Sequence, residues 1–575
     1  MRIWLARRAN KSAAFRQNYD NSALIYVKQG RAPRYFRLFL QLNWREPETD
    51  IYRDARFVGG IVNESTMRGT ALASQHRDTR LGSCMSPRSK TNPNLRAALW
   101  SRREILAAGA FGAAALPLPA WLLAAHGRNA NLTGPLPDTP ERGLMVWDVG
   151  GIDYVAEEYF LSGSANVYRP VSMADAADVA SRDNVKDLGA RAFTREVLRA
   201  ARPFTTRLIV YRPRSKQRFS GKVIAETLHP TGGGSSLMWN SLHSFFSAHG
   251  DIYVGVQHPL TMAGLKAADS SRYGALDFED ATQLWGMLAQ TGAAIKNGGV
   301  GSPLQGYRVR HLLLTGYSYT GVATATFANY HHQEAKLRDG RNIFDAYLPM
   351  ADAQYVRPLD VPVMRLNTQS DYNGFGGLKN RRPDDARYRH YEIAGASHVA
   401  VPPPADAAKP PAAIKLPPAP GQPHFSAADC RQGFPAGSLP NDYPLYLVQA
   451  AMFSNMYQWL DLKRAPPSSV FIETDANGST LFDDKGNAQG GVRLPQVSVP
   501  IAKYAVGSTD ACVLFGYTEP FSAAVSQALY GGKAAYQARV RADIERLLAD
   551  RWILPEGAEP LLGAAQAHAN FEEPT

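Results

Sequence analysis

From Tyr154 onward the chain alternates short apolar runs with amphipathic stretches. That alternation constrains the fold more than any other feature, because it is the pattern of βαβ units on a mostly parallel sheet. Residues 207–211 and 223–228 read as strands on either side of the polar, basic turn 212–221, a hairpin leading into the sheet. Residues 252–256, 309–314, 346–350, 361–366 and 391–393 read as further strands, and 237–248 and 280–295 as helices among them. In the second helix Leu284, Met287, Leu288 and Ile295 fall on one side. The expectation is an α/β domain with one doubly wound sheet.

After residue 400 the pattern changes, since 402–423 holds nine prolines in 22 residues without an apolar period. Such a stretch is an extended loop or linker. Downstream, 446–460 and 534–548 read as helices, and Asp475-Ala-Asn-Gly and Asp484-Lys-Gly-Asn as turns of a β-rich excursion. The chain thus divides into a core over 146–424 and a helical and β-rich part over 425–575, whose amphipathic helices need a surface to pack on.

The most informative segment is His311-Leu-Leu-Leu-Thr-Gly316-Tyr317-Ser318-Tyr319-Thr320-Gly321. A buried strand turns abruptly into a helix, and small residues at the bend let the backbone hold Ser318 proud of the sheet, as in a nucleophile elbow. Threonine stands where the G-x-S-x-G pattern has its second glycine. A serine so placed needs a base and an orienting acid, in the chain order Ser, Asp/Glu, His. Asp371, in Asn367-Thr-Gln-Ser-Asp371, and His398, in Ala394-Gly-Ala-Ser-His398, each follow an expected strand. Such sheets place their reactive groups beyond the carboxyl ends of strands. Asp352, after 346–350, is the alternative acid, one strand earlier. The bland readings are a surface histidine at His398 and a helix-capping aspartate at Asp371. An oxyanion hole would draw on the amide of Tyr319 and on those of Thr231 and Gly232 in His229-Pro-Thr231-Gly232-Gly233-Gly234.

The stretch Asp153-Tyr-Val-Ala-Glu157-Glu158-Tyr159-Phe160-Leu161-Ser162-Gly163, the 207–212 strand, the Gly316–Gly321 elbow and Tyr391-Glu-Ile-Ala-Gly-Ala-Ser-His398 resemble the exported bacterial alpha/beta hydrolase domain proteins over about residues 146–570. The resemblance implies the alpha/beta hydrolase fold, with a C-terminal extension and cap-like insertions, and ester hydrolysis. Where that family often has Glu-Ser-Asp or Glu-Thr-Asp, this chain has Gln369-Ser370-Asp371, which leaves Asp371 as the better remaining carboxylate.

Other chemistry is thin. His331 and His332 are adjacent and point to different sides of a helix, and no H-E-x-x-H occurs, so no metal site is expected. Asp475-Ala-Asn-Gly is a fragment of a calcium loop and reads as a turn. Arg381, Arg382, Arg387 and Arg389, interleaved with Asp384 and Asp385, read as a solvated loop.

The net charge of +12 would suggest nucleic acid or an anionic membrane if it were spread over the chain. It is not: residues 1–128 carry 21 Lys+Arg against 8 Asp+Glu, and 129–575 carry 42 against 43. Within the basic segment, Ser101-Arg102-Arg103-Glu104-Ile105-Leu106 runs into an uncharged stretch over 105–125. This is the pattern of a twin-arginine signal peptide over 85–128, with a membrane anchor as the alternative that Gly109, Gly112, Pro117 and Pro119 weaken. Met85 is then the expected initiator and 1–84 upstream sequence. Export to the periplasm or beyond would leave Cys430 and Cys512 as an even pair, either bridged or two buried thiols.

Together these readings predict an exported serine hydrolase acting on a small-molecule ester, without cofactor, nucleic acid or stable membrane insertion after processing. A lactonase, peptidase or transacylase would use the same residues, and a binding protein could keep the fold without turnover. Specificity is expected to come from cap-like segments within 260–280 and 402–423.

Overall fold

The computed structural model describes residues 22–27, 34–39, 130–137, 143–169, 196–230, 234–298, 302–352, 354–375, 377–399, 403, 407–411, 430–507, 512–567 and 571. The chain divides into two units, 1–109 and 110–575. In the first, Ser22–Val27 and Arg34–Phe39 pair antiparallel, Ser22 opposite Phe39 and Val27 opposite Arg34. Both six-residue runs are aromatic- and aliphatic-rich, a local signal that the arginine-rich surroundings obscure in the sequence. The twin-arginine segment and Met85 lie outside the described residues.

The second unit is built on a nine-stranded sheet. Its strands are β1 (Asn131–Thr133), β2 (Tyr154–Tyr168), β3 (Val197–Pro213), β4 (Lys222–Thr227), β5 (Ile252–Val256), β6 (His311–Tyr317), β7 (Ala346–Met350), β8 (Val363–Thr368) and β9 (Tyr388–Ile393). Their spatial order is β9-β8-β7-β6-β4-β5-β3-β2-β1. The six strands from β9 to β5 run parallel, and β3, β2 and β1 add antiparallel pairings. The sheet thus corrects the hairpin reading. β3 pairs with β5, Leu208 opposite Val256, whereas β4 lies between β5 and β6. The turn at 212–221 is therefore a crossover. A fully apolar strand such as β5 offers two equivalent hydrogen-bonding edges, so adjacency in sequence does not choose its neighbours.

Helices cover both faces. On β6, Leu313 packs into one core with Trp239, Tyr253 and Leu366, while Leu312 and Leu314 point into the other with Met287, Phe327 and Tyr347. A strand buried on both faces must be continuously apolar, as parallel strands are. The helices between strands are α1 (Leu237–His249), α2 (Pro259–Ala268), α3 (Ser270–Tyr273), α4 (Leu284–Asn297), α5 (Tyr319–Tyr330) and α6 (Gln369–Phe375). The expected cap segment at 260–280 is α2, α3 and the turn after them. Met262, Leu265, Tyr273 and Leu276 of that segment are buried in the second core.

The C-terminal part joins the same fabric. Helix α7 (Leu445–Leu462) sends Val448, Met452 and Phe453 into the core that holds Trp239. α8 (Pro495–Ser498) and α9 (Ala523–Tyr530) are short; α10 (Lys533–Ala549) buries Tyr536, Val540, Ile544 and Leu547, a stripe at helical spacing, and α11 (Ala558–Ala567) buries Leu561 and Ala565. A small antiparallel sheet sets β12 (Tyr517–Pro520) between β10 (Leu439–Pro440) and β11 (Ala502–Ala505). Past the β9 edge, Tyr391 bridges to Val470 and Ile393 to Val492. Asp475 and Asp483 each fold a turn by accepting two backbone amides on one carboxylate oxygen, from Asn477 and Ser479 and from Lys485 and Asn487. Of the two open readings for the cysteines, the bridged one holds: Cys430 and Cys512 form a disulfide across 82 positions. Closing a loop of that size restricts the unfolded chain by about 4 kcal/mol in the chain-entropy account. Reduction, or the double change Cys430→Ser and Cys512→Ser, is expected to cost roughly 2–4 kcal/mol, read as a lower urea midpoint. Equal midpoints with and without reductant would contradict it.

Candidate active site

β6 ends at Tyr317, and Ser318 takes φ 61° and ψ −127° before α5 begins at Tyr319. A positive φ on a residue with a Cβ costs of order 1–3 kcal/mol and persists only where the surroundings impose it. Here they do. The Ser318 amide donates to Met350 O of β7 at 3.0 Å. A Cβ on Gly316 would lie 2.3 Å from Thr320 O, and one on Gly321 2.0 Å from Met350 O. The threonine that departs from the pattern stitches the bend: its Oγ1 accepts from Tyr317 N and donates to Tyr317 O, both at 2.9 Å. Close approach to the sheet is supplied one residue later by Gly321, so the elbow does not need its usual second glycine.

His398 follows β9, and its Nε2 lies 2.8 Å from Ser318 Oγ. Its Nδ1 lies 2.5 Å from Asp371 Oδ1, where the carboxylate can only accept; Nδ1 therefore carries the proton and Nε2 is left to accept from the serine hydroxyl. Asp371 sits in the first turn of α6, and its Oδ2 accepts from Thr368 N at 2.7 Å and Thr368 Oγ1 at 2.8 Å. Capping and orienting are thus one side chain's two oxygens. The Tyr317 hydroxyl donates to His398 O at 2.6 Å. Asp371 and His398 are both buried, 3% and 7% exposed, so solvent competes little for these bonds.

Asp352 is elsewhere. Its carboxylate takes Arg365 bidentately, Nη2 to Oδ1 at 2.8 Å and Nε to Oδ2 at 3.1 Å, and Oδ1 also accepts from Gln354 N at 2.9 Å. Both side chains are fully buried. Burial pushes the Asp352 carboxyl up, against the pull of Arg365. Neither oxygen is bonded to His398, which corrects the alternative reading of this residue as the acid: β7 ends one strand too far from β9, and Arg365 of β8 intervenes.

Tyr319 opens α5, where a first-turn amide has no acceptor within the helix. Its ring lies edge-on to His258 at 5.3 Å and to His229 at 6.2 Å. Thr231 and Gly232 lie outside the described residues. The ends of their loop are pinned by His229 and Ser235, which exchange backbone hydrogen bonds of 2.8 and 3.1 Å. His258 Nδ1 accepts from Leu260 N, and burial brings its imidazole down to about 3, so it stands neutral beside Tyr319.

The sequence reading missed Glu226, though a lone carboxylate in an apolar strand was a signal. It closes the base of the 227–236 loop, accepting from Met238 N at 3.1 and 3.0 Å and from the Tyr253 hydroxyl at 2.6 Å. Burial pushes its carboxyl up to about 8, despite these donors. An unfolded glutamate titrates near 4.3, so between about pH 5 and 8 the folded chain holds a proton that the unfolded chain has lost. Stability should therefore fall as pH rises through that window and level off above it. Glu226→Gln, which keeps the shape without the titration, is expected to flatten that part of the curve in urea melts at several pH values; an unchanged slope would contradict the assignment.

The arginine group is a solvated loop only in part: 383–387, Arg387 included, is exposed, whereas Arg381, Arg382 and Arg389 are largely covered. Arg381 pairs bidentately with Glu392 and lies between the rings of Tyr372 and Phe471, Arg382 pairs with Asp385, and Arg389 with Asp384. Their side chains are 8–16% exposed. His332 is bonded to Tyr347 and Asp360, and His331 stacks on Trp285. Among the described residues no group of three or more His, Cys, Asp or Glu is arranged to hold a metal ion, and no helix is long and apolar enough to cross a membrane.

A strained serine, a histidine and an aspartate at the carboxyl ends of β6, β9 and β8 define an alpha/beta hydrolase arrangement. The family model for the alpha/beta hydrolase domain matches residues 132–563, and the chain belongs to that family. No curated protein is significantly similar to it. Among solved structures it is similar to an alpha-beta serine hydrolase homologue from Coxiella burnetii, at 13% identity over 34% of this chain and 84% of that one, TM-score 0.21. It is similar to the rice cell wall degrading esterase LipA from Xanthomonas oryzae, at 13% identity over 37% and 44%, TM-score 0.18. It is also similar to the poly(3-hydroxybutyrate) depolymerase LpqC from Bordetella parapertussis, at 15% identity over 29% and 62%, TM-score 0.20.

Proposed function

We propose that this protein is an exported serine hydrolase, a carboxylic ester hydrolase that works through an acyl-enzyme on Ser318 and needs no cofactor. The observation that carries the reading is the unbroken hydrogen-bond series from Ser318 through His398 to Asp371. In this mechanism Ser318 Oγ attacks the ester carbonyl carbon while its proton passes to His398 Nε2. Asp371 holds the ring in the tautomer that can accept and stabilises the cation that forms. The developing oxyanion is met by the Tyr319 amide, with Thr231 and Gly232 as the proposed further donors. Collapse expels the alkoxide, which takes the proton from Nε2 and leaves as the alcohol. Water then attacks the acyl-enzyme with His398 as base, releasing the acid and restoring Ser318.

Export is supported by the twin-arginine pattern at Ser101-Arg102-Arg103, and the Cys430–Cys512 bridge suits an oxidising compartment. A fluorophosphonate probe on the purified protein tests the nucleophile: one adduct, on Ser318, is the expected peptide-mapping result, and labelling elsewhere or none would refute it. A panel of esters of varied acyl and alcohol length, with a lactone, an amide and an acceptor alcohol included, then separates ester hydrolysis from the lactonase, peptidase and transacylase alternatives.

A further inference from the structure

Resting on that reading of Ser318 and His398, we infer that Ser370 is a positioning residue: its hydroxyl fixes the main chain of the catalytic histidine and ties it to the C-terminal part of the chain. Ser370 is 2% exposed. Its Oγ accepts from His398 N at 3.1 Å and donates to Val506 O at 2.5 Å. A hydroxyl has one proton, and giving it to Val506 leaves the lone pairs for the histidine amide.

Adjacent residues of α6 therefore hold the two ends of one residue. Ser370 takes the His398 main-chain amide, and Asp371 takes the imidazole Nδ1. Tyr317, next to the nucleophile, takes the His398 carbonyl. The ring alone could still swing about its Cα–Cβ bond if the backbone shifted; fixing the amide and the carbonyl fixes the origin of that swing. The remainder of the loop is gripped by the same two sides. Gly395 N donates to Gln369 Oε1 at 2.8 Å, and Gly395 O accepts from Asn441 Nδ2 at 2.9 Å. Val399 N donates to Leu514 O at 3.1 Å, two positions after the bridged Cys512. The histidine loop thus lies between α6 on one side and Ala505, Val506 and Leu514 on the other. Ser370 joins the His398 amide to Val506 O, as Asn441 Nδ2 joins Gly395 O to Ala505 O, and of the two only Ser370 bonds to His398 itself. A serine that merely satisfied itself in the core would need only one of these partners.

Reacting groups held near attack distance are sensitive to displacement, and about 1 Å can cost up to ~10²-fold in rate. Both acylation and deacylation use His398, so the loss belongs in kcat. Ser370→Ala is expected to lower kcat about 10–100-fold with KM within about 2-fold, while Ser370→Thr, which restores the hydroxyl, recovers most of the rate. A second readout does not depend on turnover: the low-field proton resonance of the His398 Nδ1–Asp371 bond should move or broaden in Ser370→Ala and return in Ser370→Thr. Thermal melts verify that the compared variants are folded. Wild-type kcat and an unmoved resonance in Ser370→Ala would overturn the inference, and so would a Thr variant as impaired as Ala, since packing rather than the hydroxyl would then be responsible. If the wild-type protein turns over no ester and takes no probe, the reading of the reaction fails, and the resonance still decides the role of Ser370.

Discussion

Ser318→Ala should give a folded protein with no measurable ester turnover, a loss of at least about 10⁴ in kcat. The size follows from the chemistry, since without Oγ no covalent intermediate forms and only the surrounding donors and substrate binding remain. Stability should stay near wild type, because alanine keeps the Cβ and hence the same positive-φ conformation that Ser318 already adopts at φ 61°. The hydroxyl it removes is half-buried and bonded to His398 Nε2 rather than to a group of the core. Rates on the best ester of the panel, probe labelling and a thermal melt check this together. If more than about 1% of the activity survives in material free of wild-type enzyme, the acyl-enzyme on Ser318 is wrong. A wild-type protein that binds a ligand without turnover, with affinity unchanged in Ser318→Ala, would instead point to a binding protein on this fold.

Seven of the nine strands of the large sheet, all but β1 and β2, and the positions of Ser318, Asp371 and His398 were legible because each depends on local pattern. β6 reads as a strand from Leu312-Leu-Leu314 alone, and the three candidates each follow such a run. Pairing was less legible. Nothing in residues 207–228 records that β5 will insert between β3 and β4. What the sequence concealed is what depends on distant partners. Ser370 meets Val506, 136 positions away, and Arg381 reaches Ile472 O, 91 away. The charged loop looked solvated because its cations stand next to anions in sequence; Arg387 is indeed exposed, but in the fold Arg381, Arg382 and Arg389 lie against the rings of Tyr372, Phe471, Tyr388 and Trp459. Thr320 looked like a defect in a glycine motif, and only the Tyr317 hydrogen bonds reveal it as a substitute with its own geometry.

The two carboxylates that the sequence left in competition should part by the kind of damage their removal does. Asp371→Asn keeps the volume and the Thr368 contacts but can no longer dictate that Nδ1 carries the proton. With the amide nitrogen turned to the ring, Nδ1 must accept, Nε2 then carries the proton, and it cannot take one from Ser318. The expected loss is about 10³–10⁴ in kcat with a modest change in melting temperature. Asp352→Asn does the reverse. It leaves Arg365 fully buried opposite a neutral amide, and breaking a buried ion pair on one side costs roughly 3–5 kcal/mol, while the His398–Asp371 bond is untouched. The folded fraction, counted by active-site titration with the fluorophosphonate, should then turn over within a few-fold of wild type. The stability loss should shrink in a double change that also replaces Arg365 by Met, because the uncompensated charge goes with it. Should Asp352→Asn instead abolish turnover at an unchanged melting temperature while Asp371→Asn stays active, the acid is Asp352, and the arrangement around His398 must differ in the working enzyme.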